Sequence, residues 1–196
     1  MSTSVELREL AEFAVPAYVI GAVVALAAGG LAAFAGQPSG WAVITGLALG
    51  VPIALLGAGY TALVALQKAP VGVFAPAAAW WFLAFPAAML VHAAVTEWVF
   101  TGGPGLPAGP LWQFLAYNAL ISMGFAIGFL WSHEYLGRHW WPRIRDHNRY
   151  AFTVVEDYKG LASVVLEQKN ANARNRAEKR RLRAEEAREA RSAGRA

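Results

Sequence analysis

Apolar positions along this chain fall into four long blocks, separated by short polar or Gly/Pro-rich breaks, and then give way to a charged C-terminal segment. The fourth block is the clearest. No charged residue interrupts residues 111–131, a length that, at about 1.5 Å per residue, crosses a hydrocarbon core of about 30 Å as a helix. Glu134, Arg138, Arg143, Arg145, Asp146 and Arg149 then arrive together, with Trp131, Trp140 and Trp141 around them. Aromatic rings and arginines in that order are expected where a helix leaves the membrane on its cytoplasmic side. The earlier blocks predict spans over residues 13–35, about 41–66 and about 71–100.

The connections set the orientation. The first and third hold no Lys or Arg, the second holds Lys68, and the flank of the fourth span holds Arg138, Arg143, Arg145 and Arg149. Positive-inside placement puts both termini in the cytoplasm. Trp41, Trp98 and Trp112 then fall at the outer boundary, and Trp131, Trp140 and Trp141 at the inner one. The expectation is an all-α, multi-pass protein of the cell membrane. It has a four-helix bundle (1–135), a juxtamembrane belt with a cytoplasmic amphipathic helix (136–168), and a basic helical or disordered tail (169–196).

Within the spans the pattern is finer. Thr3 and Glu6 are spaced as a capping box for a helix that continues into the first span, with Pro16 kinking it. Gly21, Ala25, Ala28, Ala32 and Gly36 share a narrow face. Gly46 and Gly50 form a GxxxG continued by Gly57, the spacing that lets helix backbones approach closely in lipid. In the fourth span Asn118, Ser122, Phe125 and Phe129 make one stripe, and Gln113, Tyr117, Gly124 and Gly128 a second, which suggests two packing partners. Pro76 and Pro86 interrupt the third span, and Pro142 marks a break after the fourth. Ala151, Val154, Val155, Tyr158, Leu161 and Val165 then recur at helical spacing. With no Trp or Phe at its centre and with Glu156 and Asp157 beside it, this stripe is expected to pack on another helix rather than lie on anionic lipid.

Composition changes the picture in two ways. The chain is 57% hydrophobic and only 15% charged, and its formal +4 is badly segregated: from Lys169 onward ten Lys/Arg stand against four Glu, while residues 1–168 carry seven basic and nine acidic side chains. The basic excess belongs to a tail, so nucleic acid is not an expected partner. The chain has no cysteine, which excludes disulfides, thiolate metal sites and cysteine nucleophiles. The N-terminal block, preceded by Glu6, Glu9 and Glu12, reads as a retained helix rather than a secretory signal.

Candidate chemistry is sparse. His92 and Glu97 are ionisable groups within or near the apolar part of the third span, and such groups are candidates for proton or substrate handling because their desolvation is costly. Five residues apart, they do not share a helix face. His133 and Glu134 begin an HExxH pattern, but Gly137 stands where the second imidazole is needed. They are expected in an interfacial belt, with Glu134 and Arg138 as an i,i+4 ion pair. His92 and His133 lie near opposite ends of the bundle and cannot ligate one haem. No cofactor or metal is expected. The sequence supports a non-catalytic accessory or structural subunit of a membrane assembly. Its expected partners are membrane lipids, through Arg138, Arg143, Arg145 and Arg149, and other membrane chains in a homo- or hetero-oligomer. The alternative is a small channel or transporter protomer using the proline-broken helices with His92 and Glu97.

Overall fold

A computed structural model describes residues 3–103, 105 and 109–193, and among them all regular structure is helical. The elements are α1 (Thr3–Phe13), α2 (Val15–Phe34), α3 (Ser39–Ala65), α4 (Phe74–Thr101), α5 (Leu111–Ile144) and α6 (Arg149–Ala193). Four of them, α2 to α5, are long and apolar enough to cross a membrane. The 20 residues of α2 rise about 30 Å, which matches a hydrocarbon core. The 34 residues of α5 rise about 51 Å and overshoot it by several turns.

The chain divides into two units, Met1–Val155 and Glu156–Ala196. The second is the continuation of α6, whose residues 159–180 are exposed. In the first unit consecutive spans pack as neighbours, most extensively α2 on α3, whereas α2 and α5 touch much less. The reason lies in side-chain size. A Cβ on Gly46 would stand 2.5 Å from the Ala25 carbonyl oxygen, and one on Gly50 would stand 2.6 Å from that of Gly21. Only hydrogen fits, so the two backbones meet directly. Gly57, about two turns further, faces Ala17 and the ring of Phe129 instead. Where bulk returns, the helices are spaced by rings: Trp81 lies against Phe125 and Phe129 at 4.7 and 4.6 Å between centroids.

Tight turns set the antiparallel order. Gly36 adopts φ +86° after α2, and Gly102 adopts φ +74° as the left-handed cap of α4, a conformation in which a side chain is strained. Trp41, opening α3, stacks on Phe100, closing α4, at 4.4 Å.

Prolines and caps behave differently from the sequence reading. The N-terminal helix does not run into the first span; it ends at Phe13, and Pro16 sits in the first turn of α2, where no partner within that helix awaits an N–H. Pro76 likewise lies in the first turn of α4 and interrupts nothing, while Pro86 is inside that helix. Pro142 does not end α5, which continues to Ile144 before turning. Asn118 and Ser122 are buried, but their hydrogen bonds run back to Phe114 and Ala119 of their own helix. The second stripe of α5 faces outward, with Tyr117 65% exposed. Of the α6 stripe, Ala151, Val154 and Val155 are buried, and Leu161 and Val165 are exposed.

Candidate functional site

The end of the bundle where α2 begins and α5 overshoots holds the densest polar and aromatic chemistry among the described residues. Its centre is His133, fully buried. Thr61 donates its hydroxyl proton to the Gly57 carbonyl at 2.9 Å, so the hydroxyl oxygen is left to accept from His133 Nε2 at 2.9 Å. That assigns the proton to Nε2 and leaves Nδ1 as a buried acceptor with no protein partner. Around the imidazole stand Phe129, stacked at 5.4 Å, and Tyr60 and Trp141, edge-on at 5.7 and 5.4 Å. The hydroxyl of Tyr60 and the indole N–H of Trp81 are also buried without a partner.

Next to it, Glu134 is 7% exposed, not interfacial. Its carboxylate accepts from the Gly72 backbone N–H at 3.2 Å and so ties the α3–α4 turn to α5. Arg138 reaches the Glu134 backbone carbonyl at 3.4 Å rather than its carboxylate, so the expected i,i+4 ion pair does not form.

The overshoot of α5 packs on α1, and backbone bookkeeping explains how. Pro16 has no N–H to offer the Glu12 carbonyl four residues earlier, and Ala17 bonds to Ala14 instead of Phe13. Two helix-end carbonyls therefore need donors. Trp140 Nε1 donates to Glu12 at 2.9 Å and Trp141 Nε1 to Phe13 at 3.1 Å. Asn148 then serves both sides of the next turn. Its Nδ2 donates to the Glu9 carbonyl at 2.7 Å, while its Oδ1 accepts from the N–H groups of Tyr150 and Ala151 and caps α6.

Charges complete this corner. Arg149 meets Glu6 at 3.1 Å and Glu9 at 3.3 Å, and His147 meets Glu12 at 2.9 Å. The bonds to Tyr150 and Glu6 push the Arg149 pKa up. The Glu12 carboxyl is held below its ordinary value, first by the hydrogen bond from His147 and, against some desolvation, by that from Asn148. Arg149, expected at lipid headgroups, thus points at carboxylates of α1. Arg138 and Arg143 are exposed, and Arg145 pairs with the neighbouring Asp146.

The other sequence candidates do not converge. His92 is half-buried and Glu97 exposed on α4, with no hydrogen bond or ion pair between them. A Cβ placed on Gly124 or Gly128 would meet no side chain or neighbouring helix within 4 Å. No group of three or more His, Asp or Glu that could hold a metal occurs among the described residues. The His133 cluster escaped sequence reasoning because charged neighbours at 134 and 138 resemble an interface; the one usable signal was Thr61, a hydroxyl at the matching depth of α3.

Comparison of the chain with family models, with curated proteins and with solved structures finds no match.

Proposed function

We propose that this chain is a non-catalytic subunit of a membrane assembly in the cell membrane, with both termini cytoplasmic. The observation that carries this reading is the uneven use of small residues. Gly46 and Gly50 are consumed by the contact between α2 and α3, but Gly124 and Gly128, at the same spacing on α5, lie open on the outer surface. Small residues left unused by a chain's own packing offer a neighbouring transmembrane helix close backbone approach.

The filled axis favours the same reading over a channel or transporter. Ile53, Tyr60, Trp81 and Phe129 are each 2% exposed or less, and the separation of His92 from Glu97 leaves the alternative without a paired site. In the proposed orientation Arg138, Arg143 and Arg145 meet anionic headgroups of the inner leaflet. The continuation of α6, exposed over residues 159–180, and the basic residues from Lys169 onward reach partner chains in the cytoplasm.

Purification in mild detergent, with identification of co-purifying chains, tests the assembly. Partner chains or further copies should accompany the wild type and be lost from Gly124→Leu. A wild-type chain that purifies alone and monomeric overturns the reading. Reporters placed after Gly103 and after Arg195 should lie on opposite sides of the membrane; finding them on one side overturns the orientation.

A further inference from the structure

We propose that the crevice between α2 and α5 binds one anionic phospholipid, with an acyl chain along the crevice and the phosphate at His139 and Arg143. This goes beyond the assembly reading: it assigns the Gly128 end of that open stripe to a lipid and leaves Gly124, outside the crevice lining, to a partner helix.

The crevice has a volume of about 420 Å³ and no charged side chain in its lining. Val19, Ile20 and Val23 form the α2 wall. Phe125 and Trp131 form the α5 wall, with Gly128 between them where a side chain would obstruct it. From Phe125 to Leu136 it follows α5 for about 16 Å, half of a hydrocarbon core and hence one leaflet. A transmembrane helix needs the full thickness. At its far end the crevice adjoins a second one of about 300 Å³, which shares Val24 and Phe125, follows α2 on to Leu31 and is also lined by Leu49, Ile53 and Phe85.

The other end is built for charge. At 100° per residue Gly128, Tyr135, His139 and Arg143 lie within a quarter turn of one face of α5. Ring contacts trace that face out of the apolar zone, Trp131 on Tyr135 at 5.6 Å and Tyr135 on His139 at 4.8 Å. His139 Nδ1 donates to the Tyr135 carbonyl at 2.7 Å, so Nε2 points outward. Arg143, one turn on, is exposed and forms no ion pair among the described residues. No carboxylate lines the crevice to repel a phosphate. The carboxylates nearest in sequence are engaged elsewhere, Glu134 by the Gly72 N–H and Asp146 by Arg145. Arg143, a permanent cation beside an anionic headgroup, contributes about a fivefold preference.

Native mass spectrometry of the full chain, titrated in mild detergent with phosphatidylglycerol or phosphatidylcholine, reads this site. The wild type should retain one phosphatidylglycerol at least about fivefold better than phosphatidylcholine. Arg143→Gln combined with His139→Gln should bring the two lipids level, and both positions are exposed, so the fold is not at issue. Gly128→Leu should weaken retention of both lipids by filling the crevice, while Gly124→Leu, outside the lining, should leave both unchanged. Equal retention of the two lipids by the wild type overturns the proposal. So does an undiminished preference in the double variant. Full lipid retention by Gly128→Leu, with loss of a co-purifying chain, would show that a protein helix occupies the crevice instead. Failure of the assembly reading registers at Gly124→Leu and failure of this one at Gly128 and Arg143, so the two are separable.

Discussion

The indole of Trp141 donates to the backbone carbonyl of Phe13 at 3.1 Å, and the two rings stack at 4.9 Å, although 128 residues separate them. Both side chains are fully buried. This one contact satisfies the carbonyl stranded where α1 ends and ties α1 to the overshoot of α5.

Removing only the donor isolates that role. Trp141→Phe keeps a ring against Phe13 and His133 but leaves a buried carbonyl unpaired, and should cost about 1–3 kcal/mol of stability. Trp141→Ala adds a cavity and should cost about 3–5 kcal/mol. Thermal unfolding in detergent measures both; equal midpoints for wild type and Trp141→Phe would show that the hydrogen bond contributes nothing.

The two glycine pairs should respond in opposite ways. Gly50→Ala forces a methyl group against the Gly21 carbonyl and should destabilise by about 1–3 kcal/mol, and Gly50→Leu by more, by prising α2 from α3. Gly128→Ala enters open space and should stabilise α5 by about 0.5–1 kcal/mol through its better helix propensity. A stability ranking with Gly128→Ala below Gly50→Ala contradicts the packing described above.

At the buried histidine, the smaller change should do more harm. Thr61→Ala deprives His133 Nε2 of its acceptor and leaves both ring nitrogens unpaired, at a cost of about 1–3 kcal/mol. His133→Phe leaves Thr61 bonded to Gly57 and places a ring of similar volume among Tyr60, Phe129 and Trp141, with a cost below about 1.5 kcal/mol. Denaturation midpoints of the two variants decide the order. If His133→Phe proves the more damaging, the imidazole contributes something that packing does not account for.

The corner between α1 and α6 should weaken in acid. Because the folded-state pKa of Glu12 is depressed by His147 and Asn148, its contribution is present in full above the ordinary carboxylate range. It falls away as the pH drops through the lowered folded value. Unfolding midpoints followed from neutral pH into that range should decline less steeply for Glu12→Gln than for the wild type. Parallel curves would remove Glu12 from the account.

Where sequence reading succeeded, the property was local. Span length, apolar composition and the Gly/Pro-rich breaks between the spans depend on neighbouring residues and are legible without knowing what they touch. Arg149 shows the opposite case. Beside a membrane exit its charge suggests a headgroup, yet Glu6 and Glu9 engage it, because α1 folds back onto the corner after α5.

The chain's own sequence determined that four apolar helices form, since hydrophobic length and the need to satisfy backbone hydrogen bonds within each segment act residue by residue. It also determined that carbonyls near Pro16 would lack donors. It could not determine which residues would supply them, because indoles more than a hundred positions away had first to be brought there. The same limit separates Gly46-x-x-x-Gly50 from Gly124-x-x-x-Gly128. Both permit close approach, and only the tertiary structure decided that the first pair meets a helix of this chain while the second stays open. Permission is a property of missing side chains, whereas contact requires a second surface, and the placing of that surface belongs to the fold.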